Sequence, residues 1–500
     1  MKHDVIIIGS GLGGLECGYI LARKGLNVLV LERQVQPGGC LQSYHRRGLA
    51  FDTGMHYCGG LGEGQSLYAP FKYLGLLDLP WQRLDADGFD YVTIGEKTYK
   101  FAEGHDAFYE TLVKDFPHQA KQLKAYTNKL KEVGEHIYDA FNPRDEVDFY
   151  TTSLFSVGAY NFLKETITDE TLINVLSGTS IKMELNKETL PLYTFAQPNN
   201  SFIQSSWRLK GDGNLIVNHL VEGIKSMGGN VICNSEGEEL IEKDGVLVAA
   251  RCSNGEIYEA DTFISNAHPA VTSELVKEST KMKKVYKRRM QGLENSFGIF
   301  TVSVQIKPGT LKYFNHNHYI YNENNVWDFY KNPDKVEGVL VSCRCPEDSS
   351  KGSGPTEETD LQVIDIMTPM TWNQVEKWAD TKVGHRGEEY MEFKAKKAAE
   401  CIALAEKAIP GLSGMIEHQY TSTPLTYRDY NLTPCGSAYG VRKDFNNPML
   451  TILSPKTPIP NLFLTGQNLT LHGLLGVSMT SLFTVSEIIG KEEVRKILYS

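Results

Sequence analysis

The sequence predicts an α/β fold that contains a Rossmann-type dinucleotide-binding domain. One observation is the order strand, glycine turn, helix and strand near the start of the chain, where Val5–Ile8 precedes the turn and Val28–Leu31 follows the helix. A second is the length of 500 residues, which exceeds what one hydrophobic core usually serves and predicts two connected domains. A third is the composition, with 41% hydrophobic and 22% charged residues and 45 glycines, which excludes disordered and collagen-like chains.

Charge and cysteine usage restrict the binding partners and the cellular compartment that we expect. The net charge of −10 disfavours nucleic acid as a partner, because phosphate backbones attract basic proteins. Nine cysteines without disulfide-framework spacing favour a reducing cytoplasm. The buried-strand pattern begins four residues after Met1, so we expect no signal peptide, and the sequence holds no apolar run long enough to span a membrane. We also expect no metal site, since neither Cys343 and Cys345 nor His316 and His318 have further ligands at suitable spacing.

The glycine turn matches a known phosphate-binding pattern. Gly9, Gly11 and Gly14 fit G-x-G-x-x-G, in which the glycines permit a tight turn, close approach to a pyrophosphate and close packing of the helix on the sheet. The second strand ends at Glu32, where an acid accepts the hydroxyls of an adenosine ribose. With strand, helix and acid in register, we predict dinucleotide contacts from Gly9, Ser10, Gly11, Leu12, Gly13, Gly14, Glu32 and Arg33.

The residues after Glu32 identify the dinucleotide. Pro37-Gly38-Gly39-Cys40 is followed by Phe51-Asp52-Thr53-Gly54-Met55-His56, and nicotinamide dehydrogenases carry no such second glycine pair and F-D-x-G turn. The unit resembles the extended FAD fingerprint of the flavoprotein family of phytoene desaturases, carotenoid isomerases and retinol saturases, and "GGCLQSYHRRGLAFDTG" and "FDTGMHYCGG" are most similar to the retinol saturase branch. The resemblance implies FAD contacts from Gly38, Gly39, Gly54 and Met55.

Two later blocks extend this resemblance over most of the chain. In "LKGDGNLIVNHLVEGIKSMGGNVICN" it implies that Val231 lies against the adenine. In "PNLFLTGQNLTLHGLLGVSMTSLFTVSEIIG" it places four residues against the flavin, namely Gly466, Gln467, Gly476 and Val477. Family members often have Gly-Asp where this chain has Gly466-Gln467. The resemblance therefore implies an FAD-binding domain of residues 1–80, 196–270 and 426–500, interleaved with an α+β substrate domain of residues 81–195 and 271–425.

The expected chemistry is flavin-dependent. The resemblance implies an apolar tunnel for a polyene or isoprenoid and an FAD-dependent oxidoreductase that acts on C=C or CH–CH bonds, with saturation of a double bond preferred over desaturation or cis-trans isomerisation. Saturation needs a proton besides the hydride, and His56 and His472 are the candidate donors. NAD(P)H is a candidate external reductant, although the sequence shows no second nucleotide motif. A flavin-free binder of prenylated partners, similar to GDP-dissociation inhibitors, is an alternative of another class.

A basic stretch stands out in this acidic chain. "KMKKVYKRRM" holds the six basic residues Lys281, Lys283, Lys284, Lys287, Arg288 and Arg289, and its apolar residues fall near helical spacing. Such an amphipathic cationic helix is typical of a peripheral contact with anionic lipid, and a solvated surface helix is the alternative. Seven aromatic residues between Tyr313 and Tyr330 are interpreted first as the core of a sheet.

Overall fold

The computed structural model describes residues 2–141, 149–346, 355–356 and 358–499. Its strands are β1 (His3–Ile8), β2 (Val28–Leu31), β3 (Ser43–Arg46), β4 (Leu49–Asp52), β5 (Cys58–Gly59), β6 (Trp81–Arg83), β7 (Asp90–Ile94), β8 (Lys97–Phe101), β9 (Ser206–Leu209), β10 (Asn230–Ile232), β11 (Gly237–Lys243), β12 (Val246–Cys252), β13 (Ile257–Ser265), β14 (Gly298–Ile306), β15 (Asn317–Tyr321), β16 (Gly338–Cys343), β17 (Val363–Met370), β18 (Ile416–Ser422) and β19 (Leu462–Leu464).

Its helices are α1 (Leu12–Arg23), α2 (Tyr68–Leu74), α3 (His105–Leu112), α4 (Ala120–Glu135), α5 (Phe149–Leu154), α6 (Ala159–Thr166), α7 (Glu170–Ser177), α8 (Leu192–Gln204), α9 (Asn214–Ser226), α10 (Pro269–Leu275), α11 (Lys284–Gln291), α12 (Glu388–Ala405), α13 (Leu412–Met415), α14 (Pro424–Asn431), α15 (Pro448–Thr451), α16 (Gly473–Ile489) and α17 (Lys491–Tyr499).

The first sheet contains the predicted dinucleotide-binding unit. Its parallel strands lie in the order β10-β2-β1-β13-β19. The first residues of β13 pair antiparallel with β12, and β12 pairs antiparallel with β11. β1 is apolar throughout its buried part and pairs in parallel with both neighbours, so that Ile8 lies beside Leu31 and Ser265. This sheet, with helices α1, α9 and α16 packed together beside it, confirms the predicted α/β fold of Rossmann type.

Helix α1 begins directly after the glycine turn. A side-chain carbon at Gly14 would overlap the carbonyl oxygen of Gly9 and lie 3.3 Å from Ile7 Cγ2. Only glycine therefore allows the first turn of α1 to approach the end of β1 this closely, as the sequence pattern predicts. α1 also packs against α16, which comes from the far end of the chain.

The second sheet is mostly antiparallel and is built from other parts of the sequence. Its strands lie in the order β18-β14-β17-β16-β15-β7-β8, and only β15 and β7 pair in parallel among these described strands. Every strand of this sheet falls within 81–195 or 271–425, and every strand of the first sheet falls outside those ranges. The domain boundaries themselves stay a prediction.

The aromatic segment after Tyr313 lies in the core of the second sheet. Tyr319, Tyr321, Trp327 and Phe329 are all buried, which confirms the interpretation as sheet core. His316 stacks on Tyr91 with ring centroids 4.1 Å apart. Within the described ranges, no group of three or more potential ligands is placed to hold a metal ion. Also within them, none of the helices combines the length and apolar character needed to cross a bilayer.

Candidate functional site

A cavity of about 650 Å³ runs from the glycine turn after β1 to the face of the second sheet. Most of the predicted site residues line it together, although they come from two distant parts of the sequence. These are Gly9, Gly11, Leu12, Gly13, Glu32, Arg33, Gly38, Gly39, Gly54, Met55, His56, Gly466, Gln467, His472, Gly476 and Val477. Their contacts with a cofactor stay a prediction, but the fold brings them to one wall.

The glycines of this wall form a cradle with almost no room for side chains. A carbon added at Gly39 would lie 3.0 Å from Gly11 Cα, and one added at Gly13 would lie 2.7 Å from Asn266 Oδ1 and 2.9 Å from Gly466 Cα. The backbone is therefore exposed to the cavity along a continuous path from the N-terminal and the C-terminal sequence blocks. Such a path suits a long diphosphate-bearing ligand, so the residues present fit a dinucleotide.

Asn266 joins the N-terminal and C-terminal blocks and was missed by sequence reasoning. It follows β13, and its side-chain amide lies against Gly11, Gly13 and Gly466 while also lining the cavity. Because β13 lies next to β1 in the sheet, the residue after β13 meets the glycine turn after β1. An asparagine at the carboxyl end of a strand is the signal that could have found it.

Glu32 holds the glycine turn together. One of its oxygens accepts hydrogen bonds from the backbone N–H and the hydroxyl of Ser10, at 3.0 and 2.6 Å, and the other accepts from Gln34 N at 2.8 Å. Ser10 is fully buried and absent from the cavity lining, so its predicted ligand contact is corrected to a supporting role. Gly14 is likewise outside the lining and acts through helix packing.

Val231, the predicted adenine contact, lies outside the cavity lining, and the contact itself stays a prediction. Its strand β10 pairs with β2, which buries Val231 within the fold, and Val231 does not line the cavity. The residues that reach the cavity from this region are Glu236, Gly237 and Glu238, at the beginning of β11. Together with Arg33 and Lys277 they give this end of the cavity a charged lining.

His56 lies on the cavity wall beside a buried acid. Its Nδ1 is 3.7 Å from Asp365 Oδ2 on β17, and Ser303 donates to the other carboxyl oxygen of Asp365 at 2.6 Å. Burial, with a smaller effect of the Arg208 charge, lowers the pKa of His56 to about 4. Burial also raises the pKa of Asp365 to about 7. His56 is therefore a neutral imidazole at neutral pH.

His472 lies at the start of α16 with one ring nitrogen free. Its ring packs on Tyr439 with centroids 4.6 Å apart and lies close to the backbone of Lys182. Nε2 is buried without a hydrogen-bond partner in the described structure. Burial is the main cause that lowers the pKa of His472 to about 4, and Lys443 adds to it. The unpartnered nitrogen of a neutral ring in the cavity wall is a binding position for a ligand atom.

Four apolar residues and one buried cation lie in the wall opposite the glycines. Ile299, Leu340 and Met367 from the second sheet line it with Phe202 of α8. Lys182 and Tyr57 lie in the same wall, and no local motif marks Lys182, because its neighbours in space are distant in sequence. Tyr427, Tyr430 and Thr433, in and after α14, complete the lining.

Fold and cavity together define a protein of the Rossmann-type dinucleotide-binding class. The profile of the NAD(P)-binding Rossmann-like domain family matches residues 7–74. The chain is 26% identical to the all-trans-retinol 13,14-reductase of Danio rerio over 97% of this chain and 86% of that protein. It is 25% identical to prolycopene isomerase 2 of an Oncidium hybrid cultivar over 93% of this chain and 80% of that protein. The predicted resemblance to this family of reductases and isomerases, and the oxidoreductase class, are confirmed.

Solved structures agree with the fold. A putrescine oxidase triple mutant superimposes with a TM-score of 0.66 at 13% identity, covering 98% of this chain and 99% of its own. The RAB GDI of Plasmodium falciparum superimposes with a TM-score of 0.53 at 14% identity, covering 98% of both chains. At these identities the likeness concerns the fold alone.

Proposed function

We propose that the protein is an FAD-dependent oxidoreductase that saturates a double bond of a hydrophobic polyene or isoprenoid. The observation that carries the proposal is the single cavity, with a glycine cradle at one end and an apolar wall from the second sheet at the other. A dinucleotide in the cradle would share the cavity with an apolar substrate. The similarity to proteins named as a retinol reductase and a prolycopene isomerase supports this substrate class.

The residues that would hold FAD come from the N-terminal and C-terminal blocks. Gly11, Gly13, Gly39 and Gly466 would offer backbone to the diphosphate, and Glu32 would accept a ribose hydroxyl. When bound, the flavin supplies hydride transfer. The N-terminal residues of α16 line the cavity, and the positive end of that helix favours a negative charge on the reduced ring. Apolar neighbours of the substrate exclude water from this region.

The mass of the product distinguishes saturation from desaturation and isomerisation. The purified protein should show a flavin spectrum, and anaerobic incubation of the pre-reduced protein with retinoid and carotenoid candidates should give a product heavier by one hydrogen pair. A lighter product from the oxidised protein would make it a desaturase, and an unchanged mass with altered retention would make it an isomerase. Colourless protein that FAD does not reconstitute would favour the binder of prenylated partners. Comparing NADH and NADPH with dithionite tests the external reductant.

We expect neither histidine to be the proton donor. His56→Gln and His472→Gln should bind FAD and keep turnover within about tenfold of wild type, because a neutral imidazole is a weak acid and loss of a true donor costs about 10²–10⁴-fold. The measurement is single-turnover product formation at pH 7 with the flavin spectrum recorded beforehand. A loss of 100-fold or more in either variant, with FAD retained, would assign proton transfer to that ring.

The basic stretch forms a surface that we propose contacts anionic lipid. Met282 and Met290 are buried against the protein, so they do not form the exposed apolar face that helical spacing suggested. The exposed apolar side chains are instead Val285 at 74%, Met449 at 84% and Leu450 at 52% exposure. Arg289 donates to the carbonyl oxygens of Met449 and Leu450, which holds α15 beside α11. Basic and apolar side chains of α11 and α15 thus lie on one face, where they can bind anionic headgroups and enter the edge of the acyl region.

The proposed lipid-binding surface lies beside the cavity and does not form its wall. None of residues 281–290 lines the cavity within the described part of the chain. α11 packs on α10, whose Leu275 and Glu274 line the cavity together with Lys277. We further propose that the protein works in the cytoplasm at a membrane surface, and the free thiols of its nine cysteines are consistent with a reducing compartment.

Reversing three exposed charges should abolish vesicle binding. Wild type should co-sediment with phosphatidylserine vesicles at low salt, and the combined variant Lys283→Glu, Lys284→Glu and Arg288→Glu should not, because each basic residue near an anionic surface contributes about 1 kcal/mol. A matched variant reverses Lys121, Lys131 and Lys396, which are exposed on other helices, and should bind like wild type. Equal loss in both variants would mean that only overall charge matters, and no binding by wild type would remove the surface from consideration.

A further inference from the structure

One buried cation lies in the cavity wall and has no role in cofactor binding. Lys182 keeps only 10% of its side chain exposed, and its Nζ lies 3.6 Å from the centre of the Phe202 ring, which also lines the cavity. Nζ donates a hydrogen bond of 2.7 Å to the hydroxyl oxygen of Tyr57 and lies 3.4 Å from Asp90 Oδ2. A buried ammonium held at the edge of an apolar cavity is unusual enough to need a function.

The groups behind Lys182 are fixed by a network that is closed to solvent. Tyr57 donates to Asp90 Oδ2 at 2.8 Å and also bonds to the Tyr319 hydroxyl. Asn317 donates to the other oxygen of Asp90 at 2.9 Å and accepts from Arg208. Asp90, Tyr319 and Asn317 are fully buried. The Asp90 carboxylate is therefore held in place by its hydrogen bonds, and it keeps Nζ of Lys182 beside Tyr57 in the cavity wall.

The backbone of Lys182 is held from the other side of the cavity. The His472 ring lies close to the backbone of Lys182, and the Tyr439 hydroxyl donates to the carbonyl oxygen of Ile181 at 2.7 Å. Tyr439 and His472 themselves line the cavity. The segment that carries Lys182 is therefore held by Tyr439 and lies near the start of α16, at the end of the cradle where the flavin ring is proposed to lie.

Charge state distinguishes Lys182 from the two histidines. Burial lowers the pKa of Lys182 to about 8, and the Asp90 carboxylate opposes that decrease. Most molecules then carry the ammonium at neutral pH, and the group gives up its proton more readily than an exposed lysine. His56 and His472 are neutral under the same conditions. Among these three cavity-lining groups, Lys182 alone offers an acidic proton at neutral pH.

We propose that Lys182 is the proton donor in the saturation reaction, an inference that rests on the proposed function. As the reduced flavin, regenerated by a two-electron reductant, gives a hydride to one carbon of the double bond, the Nζ–H bond breaks and a C–H bond forms at the neighbouring carbon. Lys182 is left as a neutral amine beside Tyr57 and Asp90. Water at the cavity mouth returns the proton, so the substrate gains one hydride and one proton while the flavin is oxidised.

The first test separates proton donation from cofactor binding. Lys182→Met should retain FAD and be reduced by dithionite like wild type, yet its reduced flavin should be reoxidised anaerobically by the polyene at least about 100-fold more slowly. Wild-type reoxidation should decrease as pH rises through about 8, because the ammonium is lost, and the variant should show no such step. Lys187→Met, a neighbour whose Nζ instead contacts Asp328, is the matched control and should behave like wild type.

A second measurement needs no substrate. Trace acetylation of the intact protein with acetic anhydride across pH, read by mass spectrometry, should give Lys182 a midpoint near 8 and Lys187 a midpoint above that of an ordinary lysine, because Asp328 raises the pKa of Lys187. Asp90→Asn should move the Lys182 midpoint to lower pH, because the charge that favours the ammonium is gone. A Lys182 midpoint near that of exposed lysines, or reoxidation of the Lys182→Met flavin within threefold of wild type, would overturn the assignment. Wild type that saturates no polyene would instead defeat the proposed function, whatever the midpoint.

Discussion

Replacing Gly14 by alanine should yield a colourless protein. The added carbon would overlap the carbonyl oxygen of Gly9, so α1 must move away from β1 and the cradle must open. Forcing a carbon into a backbone contact costs about 3 kcal/mol or more, because neither partner is a flexible side chain. We expect FAD affinity to decrease by at least about 100-fold, which corresponds to about 2.7 kcal/mol of binding free energy. Absorbance of the purified protein and calorimetric titration with FAD measure the effect.

A second glycine of the same helix provides the control. Gly18→Ala adds the same carbon to α1, where the nearest atom is Ile224 Cδ1 at 3.0 Å, the mobile end of a side chain. Alanine also favours a helix interior by about 1 kcal/mol over glycine, which compensates for this crowding. The Gly18→Ala protein should therefore be yellow and as stable as wild type to within about 1 kcal/mol. A yellow Gly14→Ala protein of normal affinity would show that the close approach of α1 to β1 is not required.

Replacing Glu32 by alanine should have the second-largest effect, because it removes structure and ligand contact together. The Ser10 N–H, the Ser10 hydroxyl and the Gln34 N–H all lose their acceptor, and Ser10 is fully buried. Leaving buried donors unpaired costs about 1–3 kcal/mol each, so the free energy of unfolding should decrease by about 3 kcal/mol. Urea denaturation of the FAD-free protein measures this loss without the cofactor, and the FAD titration measures the second loss.

A partly exposed glutamate on the antiparallel strands β11 and β12 provides the control for the Glu32→Ala variant. Glu239 on β11 contacts Arg251 on β12 across the surface, and Glu239→Gln should change stability by less than about 1 kcal/mol. Glu32→Gln is a second useful variant. Its amide keeps one acceptor oxygen, so it should lose less stability than Glu32→Ala. If Glu32→Ala unfolds like wild type and binds FAD normally, the hydrogen bonds to Ser10 do not hold the turn.

The part of the site that the sequence predicts is the part that depends on local geometry. Gly9, Gly11 and Gly14 are determined by one turn, and Glu32 by the end of the next strand, so spacing alone places them. Val231 lies outside the cavity lining, because spacing cannot say which strand pairs with β2 and that pairing buries it. Lys182 could not be found because its contacts, Tyr57 and Asp90, lie 125 and 92 residues away. The glycine turn after β1 is therefore a local feature, whereas the position of the proposed proton donor depends on tertiary contacts.

The position of β19 in the first sheet has a consequence for how the chain is synthesised. β13 pairs with β1 on one edge and with β19 on the other, and α1 packs against α16, so the cradle joins residues near both ends of the chain. A nascent chain that leaves the ribosome exposes the apolar faces of β13 and α1 until residues up to 489 have emerged. Such high contact order slows folding and lengthens the time during which aggregation competes. We therefore expect folding yield in the cell to respond to chaperone and flavin supply late in translation.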